Sequence, residues 1–90
     1  MMRTVHILIS GRVQGVYFRK FTKHKAMELG ILGTVKNLPD GRVEIIAQAN
    51  QDTIDHFINW CRKGPITARV DQVDIAEMTT TDEFSVFEVI

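Results

Sequence analysis

An α+β fold, with two helices covering one face of an antiparallel sheet, is predicted by three features of this 90-residue chain. Apolar residues alternate with others along 4–10, as in a strand with one buried face. They recur at helical spacing from Phe18 and again from Ile54. Between those two stretches, GTVKNLPDGRVEIIAQ reads as two strands around a turn.

Taken in order, Val5, Ile7 and Ile9 define the buried face of a first strand. Phe18, Phe21, Thr22, Ala26 and Leu29 form a helical stripe that Gly30 ends. In Leu38-Pro39-Asp40-Gly41, proline fixes φ at the second position of a β-turn and glycine suits the fourth. Asn50 is a suitable cap for a second helix carrying Ile54, Phe57, Ile58 and Cys61, and Gly64-Pro65 closes it. A strand over 68–78 and a short one over 84–89 complete the chain. The order β-α-β-β-α-β plus a fifth strand is the ferredoxin-like split βαβ plan, in one domain spanning 1–90.

Composition narrows the possible roles. No apolar run reaches membrane-span length, and the N-terminus lacks a signal-peptide pattern. Cys61 is the only cysteine, so an internal disulfide is impossible and a reducing cytoplasm is expected. Net charge is zero, against a broad nucleic-acid binder. The charges are segregated: residues 1–42 hold eight Lys/Arg against two acids, and 43–90 hold three against nine. Either the first half presents a cationic site to a small anion, or the halves interleave in space and cancel.

GRVQGVYFRKF, residues 11–21, holds the most telling chemistry. Gly11 and Gly15 allow close backbone approach, while Arg19 and Lys20 fall at a helix start, where positive charge opposes the dipole. A bound anion would relieve that opposition. Loop amides at a helix N-terminus form an anion cradle, to which an arginine adds a planar fork. In the predicted topology the first and second strands run parallel with the third between them. Their C-terminal ends share one sheet edge, so the 11–17 loop and Asn37 face each other across about 10 Å. The glycines and Asn37 could equally serve turns, with Arg19 in solvent; one shared site would decide between these.

GRVQGVYFRKFT together with GTVKNLPDGRVEI closely resembles the acylphosphatase family, and the resemblance covers nearly the whole chain. It implies a ferredoxin-like fold and hydrolysis of an acyl phosphate to a carboxylate and inorganic phosphate, with phosphate as product and inhibitor. It also implies that no metal or other cofactor is needed. Arg19 would bind the phosphoryl group with the backbone of Gln14, Gly15, Val16, Tyr17 and Phe18, and Asn37 would orient the attacking water. Two positions depart from the family pattern: Leu38, where vertebrate members often carry a threonine that assists the asparagine, and Ala49, where glycine is frequent. Both should tune rate. The length and own start of the chain point to a free-standing member, expected to be monomeric and independent of nucleic acid and membrane.

The remaining residues take plainer roles. His6, His24 and His56 are expected at the surface and Asp40 in its turn. Phe18, Phe21, Phe57, Phe84, Phe87 and Trp60 should pack in or beside the core, and Cys61 within it. An RNA-recognition module shares this fold but needs aromatics on its third strand, which here reads RVEIIAQ. A non-catalytic phosphate-binding module stays open, because the same cradle would serve it.

Overall fold

The computed structural model describes residues 2–80 and 82–90. Seven elements follow one another: β1 (Met2–Arg12), α1 (Phe18–Leu29), β2 (Leu32–Asn37), β3 (Val43–Asn50), α2 (Gln51–Lys63), β4 (Arg69–Glu77) and β5 (Phe87–Val89). They form one five-stranded sheet in the order β4-β1-β3-β2-β5.

Alternation along the strands sorts the two faces. Val5, Ile7 and Ile9 of β1, Val35 of β2, and Val43, Ile45 and Ala47 of β3 are fully buried on the face covered by both helices. Phe18, Thr22 and Ala26 of α1, with Ile54, Phe57, Ile58 and Cys61 of α2, close the core from above. Burial pushes the Cys61 thiol far above its usual range, so it stays an uncharged core group. Phe57 stacks on Trp60 and meets the edge of the Phe87 ring, so α2 and β5 share one aromatic contact. On the open face His6 is half-buried, with its Nε2 donating to Glu44 Oε2 at 2.9 Å.

The antiparallel sheet expected from the sequence is present, and the fifth strand makes the whole sheet mixed. β1, β3, β2 and β4 pair antiparallel, but β5 runs parallel to β2. β4 occupies the opposite edge and ends at the bottom of the sheet. β5 lies beside β2 on the other edge and shares its direction. β5 is also shorter than expected, beginning at Phe87 rather than residue 84. Phe21, placed by periodicity on the helix stripe, is 38% exposed at its margin.

Gly11 is a strand residue, not part of the following loop. It pairs with Val70 where the β1–β4 register shifts, at φ 130°, and a Cβ there would overlap the Arg69 carbonyl. Gly33 in β2 is equally constrained, since at φ 143° a Cβ would overlap the Ile46 carbonyl on β3. Replacing Gly33 by alanine combines backbone strain with a backbone clash on a residue paired on both sides, with Ala47 and Phe87. We expect Gly33→Ala to lower unfolding stability by more than about 2 kcal/mol in a denaturant titration. A change under about 0.5 kcal/mol would contradict this packing.

Candidate active site

The upper edge of the sheet gathers the C-terminal ends of β1, β2 and β5. A cavity of about 530 Å³ opens there, lined by residues that include Gly15, Tyr17, Phe18, Arg19 and Asn37. Its size suits a small ligand.

The loop 13–17 is shaped by what it buries. Val13, Val16 and Phe18 turn their side chains into the core, leaving polar backbone at the surface. Gly15 sits at φ 74°, and Tyr17, the residue before α1, at φ 63° and ψ 21°. Tyr17 makes no side-chain capping bond, and the first turn of α1 holds no acid. The first helical bond joins Phe21 N–H to the Tyr17 carbonyl at 3.1 Å, so the amides before it have no carbonyl within the helix. Such a left-handed turn into a helix start forms a concavity suited to an anion.

Side chains fasten the loop on two sides. Gln14 Nε2 donates to the Leu38 carbonyl at 2.8 Å and the Arg42 carbonyl at 2.9 Å, spanning the β2–β3 turn. Thr67 Oγ1 donates to the Val16 carbonyl at 2.8 Å, binding the loop to the segment after α2. Gln14 and Val16 therefore brace the loop and do not line the cavity, whereas Gly15, Tyr17 and Phe18 do. Their roles as supports depend on folded partners 24 and 51 residues away, so local sequence carries no sign of them.

Arg19 and Asn37 meet in this cavity from α1 and the end of β2. Among the described residues Asn37 Oδ1 is buried without a hydrogen-bond partner, so the side chain is not occupied by the turn beside it. That turn closes through Gly41 N–H to the Leu38 carbonyl, and Asp40 accepts from Arg42 N–H and Nε–H. The backbone bond from Arg42, then its side chain, holds the Asp40 carboxyl below its usual range. Asp40 is thus engaged by its own turn.

The segregated charges are paired only in part. Arg3 reaches Asp55 and Glu77, and Lys36 reaches Glu44, so the halves do interleave. Among the described residues Arg19, Lys20 and Lys23 of α1 form no ion pair, and all three line the cavity. His24, although exposed as expected, lines it as well, as does Val89 of β5. The helical spacing of 19, 20, 23 and 24 is the one local signal for this shared face. Among the described residues no cluster of three or more His, Cys, Asp or Glu side chains is placed to hold a metal ion.

Comparison with known proteins establishes the family. The acylphosphatase family model matches residues 5–89. The chain belongs to the acylphosphatase family. An acylphosphatase from Methylococcus capsulatus is 49% identical over 89 residues, covering 99% of this chain and 97% of the relative. The solved acylphosphatase of Coxiella burnetii superposes with a TM-score of 0.93 at 38% identity, covering 99% and 93% of the two chains. That of Bacillus subtilis gives 0.94 at 31% identity, covering 100% and 99%.

Removing the brace between loop and turn should loosen both. Gln14→Leu is expected to cost about 1–2 kcal/mol, since two hydrogen bonds are lost while each carbonyl keeps a backbone partner. Amide exchange should accelerate together over 13–17 and 38–42. Unchanged exchange in both segments would show that the contact does not brace the loop.

Proposed function

We propose that this chain hydrolyses acyl phosphates, with Arg19 and the loop amides holding the phosphoryl group and Asn37 orienting the attacking water. The observation that carries this reading is the convergence of an unpaired arginine, an uncapped helix start and the unpartnered Asn37 amide on one cavity. Family membership supports the reaction class.

An acyl phosphate is a mixed anhydride with a good carboxylate leaving group. Its phosphoryl oxygens accept from the amides of Gly15, Tyr17 and Phe18 and from the Arg19 guanidinium, which offers a fork matched to two oxygens. These donors are fixed before substrate arrives and stabilise charge as it redistributes over the transferring group. The Asn37 oxygen, unpaired in its buried position, gains a partner when the side chain turns and accepts a hydrogen from water in the cavity. Water oxygen then bonds to phosphorus, the bond from phosphorus to the acyl oxygen breaks, and the carboxylate departs with that electron pair. The water's proton passes to a phosphoryl oxygen, so no side-chain base is required. Products are the carboxylate and dihydrogen phosphate.

Membership of the acylphosphatase family favours catalysis over simple anion binding. We read the protein as a single cytoplasmic domain, monomeric, acting without nucleic acid or membrane. Zero net charge and a β3 strand without aromatics support the independence from nucleic acid.

Arg19→Ala should lower kcat/KM by about 3 kcal/mol or more, the scale for losing a transition-state donor. Asn37→Ala should depress kcat severely while leaving the competitive inhibition constant of inorganic phosphate nearly unchanged. Steady-state kinetics with phosphate as inhibitor separates the two roles. Near-normal turnover in folded Arg19→Ala, or parallel loss of phosphate binding in Asn37→Ala, would overturn the assignment.

A further inference from the structure

The cavity is larger and more positive than the phosphoryl group requires. Beyond Arg19 it is lined by Lys20, Lys23 and His24, and among the described residues no acidic one lines it. Positions 23 and 24 lie one helical turn beyond 19 and 20, so their side chains start about 5–6 Å farther along the same face. The exposed side chains of Tyr17 and Val89 supply apolar surface beside them. The slot therefore runs from an anion cradle, past apolar surface, to a second group of cations.

As protein structure alone, this arrangement is unfavourable. Arg19 and Lys23 are like charges at i,i+4, and Lys20 also opposes the dipole of α1. Lys25, on a different side of the helix, does have an acid, Glu28, at 3.6 Å. The cations on the cavity face have none among the described residues.

We propose that Lys20, Lys23 and His24 form a second anion subsite, selecting acyl phosphates whose acyl chain carries its own anionic group a few carbons from the carbonyl. The inference rests on the acyl-phosphate reading of the site. Methylenes of the acyl chain lie against Tyr17 and Val89, and the distal carboxylate or phosphate meets the lysines. The lysines are point charges without a fixed fork, so they accept either kind of distal anion.

The test compares kcat/KM for butyryl phosphate, succinyl phosphate and 3-phosphonopropionyl phosphate, in the parent protein and in the Lys20→Gln/Lys23→Gln double variant. The parent should prefer succinyl over butyryl phosphate by about tenfold, mainly through KM. The phosphonate arm shows whether a dianion is preferred to a carboxylate. In the double variant the succinyl-to-butyryl ratio should fall to within about twofold, and raising ionic strength should erode the parent's preference similarly. General loss of attraction for phosphate affects all three substrates and cancels in the ratio. Single variants at each lysine guard against a folding defect in the double. A parent ratio near one, or a ratio that survives both substitutions, would overturn the subsite while butyryl phosphate hydrolysis left the reaction class intact. Failure to hydrolyse any of the three would overturn both.

Discussion

The start of α1 is held open, and the site is built around that constraint. The two helices make the contrast plain. At α2 the Asn50 side chain accepts from Thr53 N–H at 2.9 Å, Asp52 lies in the first turn, and Arg62 and Lys63 lie in the last. Every charge there suits the helix dipole. At α1 the preceding residue is left-handed and caps nothing, cations fill the first turn, and the last turn has no base. Opposing the dipole costs about 0.3–1 kcal/mol per charge at an exposed terminus, whereas burying a side chain such as Phe18 contributes about 1.5–3 kcal/mol. Core packing through Phe18, Thr22 and Ala26 therefore holds α1 in place despite its termini. What remains at its start is a set of unsatisfied donors and positive charge.

Topology brings the rest of the chemistry to that point. β3 separates β1 from β2, so the loop leaving β1 and the residue ending β2 stand at the same edge, two strands apart. Gln14 bridges the gap by bonding both carbonyls that flank the β2–β3 turn. The 13–17 loop and Asn37 are therefore parts of one braced unit. β5, parallel to β2, places Val89 at the mouth and adds an apolar wall.

Much of this is legible in the order of residues alone. Strict alternation at Val5, Ile7 and Ile9 locates the sheet's buried face, and Asn50 and Pro39 mark a cap and a turn through local chemistry. The motifs around Gly15–Arg19 and Asn37 point to the site residues, because strand order forces their two segments together. What escapes a reading of the sequence depends on distant partners. The parallel pairing of β5 follows from where β4 ends, and no property of residues 84–89 encodes it. Gly11 reads as a loop glycine but serves a bulge against β4. Gln14 is legible as part of a motif, yet its side chain acts on carbonyls 24 and 28 positions away. Thr67 gives no local signal at all.

The central claim, that a phosphoryl group is held by the open start of α1 opposite Asn37, is tested most directly by titrating the protein with inorganic phosphate while recording amide chemical shifts. The account predicts that the largest saturable changes fall on the backbone amides of Gly15 through Lys20 and on the Asn37 side-chain amide. Changes centred instead on the start of α2, around Asn50–Thr53, with residues 15–20 unmoved, would contradict it.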